Sequence, residues 1–137
     1  MNKRELKFRL WNKKDNEWDS PAIVEVFSGD GVLRPLYNDD DGGDWRNKYT
    51  IEQYTGIKDK NGKDIYEGDI VRTIYRDQED KKIGEIVYTT EVGAYRVRCG
   101  QHLLPIVTYR VIGGSPRGLL TVADEVIGNI HENPELL

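Results

Sequence analysis

Short apolar runs rich in Val and Ile recur along the whole chain, each closed by a cluster of Gly, Asn, Asp or Ser. Such punctuation points to strands joined by tight turns, with little room for crossover helices. Phe8 and Leu10 alternate with Lys7, Arg9 and Trp11, the period of two that marks a strand. Residues 12–16 are polar turn material, and Glu17-Trp18 begins a return strand. Residues 23–27 run into Ser28-Gly29-Asp30-Gly31, a turn signal, and residues 32–37 close that hairpin. Pro35 cannot donate to a ladder and so assigns its strand to an edge. The acidic stretch 38–44 is a loop, and β character resumes over residues 49–55.

Asn61-Gly62 is the sharpest local signal. This dipeptide best tolerates positive φ at both central positions of a type I′ turn. Flanked by Ile57 on one side and Ile65 and Tyr66 on the other, it reads as a hairpin tip. Glu67-Gly68-Asp69 then turns the chain into a strand over residues 70–75, and a wholly polar loop, 76–82, leads to its partner over residues 83–90. Two more strands follow over residues 92–99 and 106–112, separated by Gly100-Gln101-His102. Residues 113–118 read as a flexible link before a last strand around residues 125–130, and Asn133-Pro134-Glu135 caps at most a turn of helix.

Composition agrees. Val and Ile together number 23 against 13 for Ala and Leu, a balance that favours pleated sheet over helix. The expected fold is mainly β: a small SH3-like barrel or coiled antiparallel sheet, preceded by an N-terminal β-meander. The 137 residues fit a single domain, with sub-parts at 1–55 and 56–137.

Several functions find no support in the residues. A net charge of −4 gives no global footprint for nucleic acid. Charge is segregated, with six bases against one acid in residues 1–14, and Asp124, Glu125, Glu132 and Glu135 without a Lys or Arg in residues 118–137. The two ends are solvated, or they meet within a subunit or between subunits. The lone Cys99 excludes an internal disulfide and suits a reducing compartment. The charged start is no secretory signal, and no stretch reaches the ~20 apolar residues that span a bilayer. A soluble, cytoplasmic protein that makes no membrane contact is expected.

Metal chemistry is also not expected. In residues 39–44, taking Gly42 or Gly43 as the glycine of a calcium loop puts Tyr37 or Asn38 first and leaves the later Glu missing. Cys99 and His102 have ligand-like spacing, yet His131 is the only other imidazole and a closed zinc site wants four ligands. Cys99 fits better as a buried strand residue on the face of Tyr95 and Val97. Ser20, Ser28 and Ser115 lack the flanking glycines of a nucleophile elbow. Glu67 and Asp69 flank Gly68, where forming a turn is the simpler role. No catalytic residue, metal or cofactor is assigned, and the chain is not expected to be an enzyme.

One patch points to binding. Four arginines, Arg96, Arg98, Arg110 and Arg117, fall between Val92 and Arg117 with no acid among them. Arg96 and Arg98 alternate with Tyr95, Val97 and Cys99 and should project from one face of a strand. Arginines beside exposed aromatics such as Tyr75, Tyr88 and Tyr109 grip single-stranded nucleic acid by phosphate pairing and base stacking. The plainer reading of Arg96, Arg98, Tyr109 and Arg110 is a solvated or subunit-contacting face, and the acidic total favours it.

Three blocks carry a family likeness: Lys7-Phe8-Arg9-Leu10-Trp11-Asn12-Lys13-Lys14; the stretch 53–71, from Gln53-Tyr54-Thr55-Gly56-Ile57 through Asn61-Gly62-Lys63-Asp64-Ile65-Tyr66-Glu67-Gly68-Asp69; and the end, 125–137, with Gly128-Asn129-Ile130-His131-Glu132-Asn133-Pro134. Together they resemble the YopX family of phage and prophage proteins, with His131 where a Tyr is usual. The resemblance implies a small, cytoplasmic, phage-encoded homo-oligomer of uncharacterised role, and it brings neither catalytic residues nor a cofactor. The expected function is that of a non-enzymatic accessory protein acting by self-association or by binding an unknown host or phage protein. A single-stranded nucleic-acid-binding module using the Arg/Tyr face is the alternative.

Overall fold

A computed structural model describes residues 3–19, 24–26, 33–35, 44–74, 82–112 and 114–137. The chain is mainly β, as its punctuation requires. It forms two compact units, Met1–Tyr54 and Thr55–Leu137.

In the first unit, β1 (Phe8–Asn12) turns back into β2 (Glu17–Asp19) with Trp11 opposite Trp18. The turn is set by Asn12, whose Oδ1 accepts the N–H groups of Lys14 and Asp15 at 3.0 and 3.1 Å. Asn16 closes it at φ 52°, a conformation that Asn tolerates better than most residues. Then β3 (Val24–Val26) and β4 (Leu33–Pro35) pair as the expected hairpin, Val24 opposite Pro35. The Ser28–Gly31 turn and residues 39–43 lie outside the described residues. Asp44 caps the 3-10 turn η1 (Trp45–Asn47) by accepting from the N–H of Arg46. The long strand β5 (Tyr49–Lys58) pairs antiparallel with β1, Leu10 opposite Ile51 and Arg9 opposite Glu52. Leu10, Trp11, Tyr49 and Tyr54 are buried here.

The end of β5 belongs to the second unit, where β6 (Asp64–Tyr66) lies beside it. The connection between them is a hairpin tip, but not a type I′ turn. Gly62 has φ 79°, whereas Asn61 is not at positive φ. The Gly62 N–H instead donates to the carbonyl of Asp59 at 3.0 Å, and the Asp59 carboxylate accepts from the N–H groups of Asn61 and Lys63, each at 2.9 Å. One side chain organises the bend, so a single left-handed residue suffices.

Five strands then build a sheet in the order β10-β9-β8-β7-β13, curled into a half-barrel. They are β7 (Asp69–Thr73), β8 (Ile83–Thr89), β9 (Ala94–Cys99), β10 (His102–Pro105) and β13 (Ala123–Asn129), all antiparallel to their neighbours. A separate pair, β11 (Val107–Ile112) and β12 (Ser115–Thr121), precedes β13. Two sequence expectations fail here. Gly100-Gln101-His102 is not merely a separator, because His102 opens β10. Residues 115–118 are not a link, because Ser115 starts β12, whose Pro116 lies opposite Val111 in a two-stranded ribbon that has edges on both sides.

The core lies on one face of this sheet. Val71, Ile86, Val97 and Cys99 are buried with Ile65, Ile106 and Ala123, and Tyr95, Leu104 and Val126 pack against them. Cys99 thus sits on the face of Tyr95 and Val97, as its position in the strand predicts. Gly68 opens β7 at φ 80°, its N–H donating to Ile86 and its carbonyl accepting from Ile130, both at 2.9 Å. Asp69 accepts from the N–H of Tyr66 at 2.8 Å, which accounts for one carboxylate of the Glu67/Asp69 pair as a turn-former. The chain ends in a turn held by Asn129, whose Oδ1 accepts from the N–H groups of His131 and Glu132, followed by the 3-10 turn η2 (Pro134–Leu136).

Candidate functional site

Strand alternation gives the half-barrel a second face, opposite the core, and the cross-strand register fixes what it carries. One row reads Glu85, Arg98, Leu103 across β8, β9 and β10, and the next reads Val87, Arg96, Pro105. A third joins Glu125, Arg72 and Ile83 across β13, β7 and β8. Arg96 and Arg98 therefore share the face that the sequence assigned to them.

Their electrostatic setting differs from a phosphate-tracking strip. Arg98 donates to Glu85 Oε1 at 2.8 Å, directly across the strand pair. Arg72 lies 3.3 Å from Glu125. Each of these two cations is matched by a carboxylate, so the face is nearly neutral locally. Apolar side chains flank the pairs, with Leu103 41% exposed beside Arg98 and Ile83 39% exposed beside Arg72, whereas Ile70, opposite Glu85 on the same face, is fully buried. Tyr109 and Arg110 are not brought to this ladder: they belong to β11, where the register shifts between Tyr109 and Val111, and their side chains lie outside the described residues. Tyr88 packs edge-on against Tyr95 at 5.1 Å between ring centroids, on the core side of the sheet and not beside the arginines. Tyr75 and the Arg117 side chain also lie outside the described residues.

The two edges of the sheet are unlike. At β13, the N–H of Lys60 donates to the Asp124 carbonyl at 3.0 Å, and Val126 donates its N–H to Asp59 Oδ2 at 2.9 Å. The hairpin tip thus engages two backbone groups of that strand, the Asp124 carbonyl and the Val126 N–H. Burial pushes the Asp59 carboxyl up, but the N–H groups of Val126, Lys63 and Asn61 outweigh it and hold the group below its ordinary value. Lys60 also sits 3.3 Å from Asp124 and 3.6 Å from Glu125. The Asp124 carboxylate, then Glu125, holds the ammonium above its usual value. Asp124 Oδ2 is buried and has no hydrogen bond of good alignment among the described residues, so its compensation from Lys60 is ionic. Sequence reasoning missed this clip, since Asp59 and Val126 stand 67 positions apart.

At β10 the edge is open. His102, Leu103 and Pro105 are exposed and Leu104 half-buried, and no strand among the described residues pairs along its outer side.

The oppositely charged ends find partners within their own units. Arg9 pairs with Glu52 at 2.9 Å and lies over the Trp18 ring, and Lys7 pairs with Glu5. Asp124 and Glu125 face Lys60, and Glu132 accepts from Asn129. Among the described residues no three His, Cys, Asp or Glu side chains group so as to hold a metal ion. Burial pushes the Cys99 thiol up, against a smaller opposite pull from Lys82, so its thiolate is disfavoured. Among those residues, too, no helix is long and apolar enough to cross a membrane.

Comparison with known proteins places this architecture. The family model described as YopX protein matches residues 7–137. The chain belongs to the YopX protein family. Among solved structures, protein EF1440 from Enterococcus faecalis is similar at 27% identity and TM-score 0.51, over 98% of this chain and 99% of that one. Protein yopX from Bacillus subtilis shares the fold at 21% identity and TM-score 0.50, over 95% and 96% of the two chains. None of the curated proteins matches the chain. The YopX match spans both units, and the three blocks of the sequence likeness fall on the β1–β2 start, the 59–63 clip with the Gly68 turn, and the Asn129 terminal turn.

Proposed function

We propose that this YopX-family chain is a non-enzymatic accessory protein of phage or prophage origin that works in the host cytoplasm by binding protein, first of all further copies of itself. The phage and cytoplasmic parts rest on the likeness of the three sequence blocks. The observation that carries the binding reading is the face opposite the core, where the ion pairs Arg98–Glu85 and Arg72–Glu125 are flanked by the exposed Leu103 and Ile83. Paired charges with exposed apolar side chains beside them suit a protein contact, because neither ion is left to be desolvated alone. Sedimentation equilibrium of the purified protein should show mass rising above the monomer with concentration. A constant monomer mass up to the high micromolar range rules out self-association.

Single-stranded nucleic acid is the second reading, and Arg96 is what favours it: no described carboxylate lies within ion-pair distance of this residue. On that reading, affinity for an oligonucleotide falls steeply with salt and drops when Arg96 and Arg98 become Ala. Association as proposed predicts flat titrations even at low salt. A steep salt slope that those two substitutions abolish would replace the protein reading by the nucleic-acid one.

A further inference from the structure

The association proposed above does not say which surface joins the copies; the unlike edges of the five-stranded sheet do. Cys99 and His102 face each other across the two-residue turn Gly100-Gln101, with Gly100 at φ 59°. Positive φ at the first central position is the signature of a type II′ hairpin turn. In that turn the flanking residues exchange hydrogen bonds, so the ladder alternates outward from Cys99 and His102. The polar groups of His102 and Leu104 then point into the sheet towards β9. Those of Leu103 point away from it, together with the Pro105 carbonyl, and proline has no N–H to leave unsatisfied. Leu103 is thus the one residue of β10 that offers a donor and an acceptor on the open side, and its side chain is 41% exposed.

We infer that two copies of this chain pair antiparallel through β10 about a two-fold axis at Leu103, joining two five-stranded sheets into one. Two features favour a second copy over an unrelated strand. An axis perpendicular to the sheet sets Leu103 opposite Leu103 of the second copy, so the two exchange both backbone hydrogen bonds and bring apolar side chains together on one face. Pro105 falls opposite Gln101 of the second copy, where it can accept from the Gln101 N–H but cannot donate in return, so the Gln101 carbonyl is left to water. No like charges meet, because Arg98 stands one strand back and is held by Glu85. The growth also stops at two. At the far edge of each sheet the 59–63 clip already engages the Asp124 carbonyl through Lys60 and the Val126 N–H through Asp59, which blocks a further strand there. A four-residue strand gives a weak and reversible contact.

The test is Leu103→Lys, which places like charges face to face at the axis while altering an exposed side chain that folding does not need. Sedimentation equilibrium at low salt should show the dimer dissociation constant raised at least tenfold, with partial recovery at high salt. Val92→Lys, in the β8–β9 turn and 55% exposed, should leave it unchanged. Amide exchange supplies an independent readout: the Leu103 N–H should be protected at high protein concentration and lose protection on dilution. A wild-type protein that stays monomeric overturns this inference together with the association reading. A Leu103→Lys variant that associates as well as wild type, or a wild-type protein that forms open-ended species, overturns the β10 inference and leaves the association reading intact.

Discussion

Asp59→Ala should lower the unfolding free energy by about 3 kcal/mol, since the carboxylate accepts from three backbone N–H groups and charge-assisted bonds of this kind each contribute about 1.5–3 kcal/mol. Two of those donors, Asn61 and Lys63, lie in an accessible hairpin tip where water can replace the lost acceptor. The third, Val126, lies in β13, so the substitution also loosens the edge of the sheet. Asp59→Asn should lose less, because its one carbonyl oxygen can keep the bonds to Asn61 and Lys63 while its amide cannot accept from Val126. Urea denaturation followed by tryptophan fluorescence measures both. An Ala variant within 0.5 kcal/mol of wild type, well below the ~1.5 kcal/mol floor for even one such bond, would show that the clip contributes nothing. The pH dependence has a definite sign. The carboxyl is held below its ordinary value in the folded protein, so its contribution is complete above the unfolded value near pH ~4 and disappears as pH falls through the folded one. The gap between wild type and Asp59→Ala should therefore be widest near neutrality and narrow in acid.

Gly84→Ala is the second large effect expected. Gly84 carries no side chain in β8, and a Cβ there would stand 2.7 Å from the Arg98 carbonyl oxygen, from Cys99 Sγ and from Val97 Cγ1. One of these is backbone, and the other two are short side chains in the packed core, so none can swing aside. Overpacking of this kind costs about 1–3 kcal/mol, and the backbone clash puts Gly84 at the upper end, a loss of roughly 10 °C in melting temperature for a chain of this size. Cys99→Ala in the same chain removes one of the three obstructions. Calorimetry should find the double variant less destabilised than the sum of the two single ones. Strict additivity would mean that the strands part rather than repack.

What can be read ahead of the structure follows the range of the interactions involved. The alternation of Arg96 and Arg98 with Val97 and Cys99 is local, so period two places all four correctly. Strand β10 is not legible, because His102-Leu103-Leu104-Pro105 neither alternates nor is rich in β-branched residues. Its pairing is imposed by the turn at Gly100. Strand β12 is masked by Ser115, Pro116 and Gly118, residues that signal a link unless a partner strand is already waiting. Asn61-Gly62 announces a bend without specifying its kind, because the choice belongs to the Asp59 carboxylate and to Val126, which is distant in sequence. The neutrality of the candidate surface is equally invisible. It arises from a register that sets Glu85 against Arg98 and Glu125 against Arg72, and composition alone shows only an Arg-rich stretch.

The passage of β5 from one compact unit into the other bears on how such a protein can be taken apart. Tyr54 donates its N–H to Lys7 within the first unit, and the Thr55 hydroxyl donates to Ile65 within the second. Cleavage between Tyr54 and Thr55 would leave each unit with the broken end of a strand that it uses.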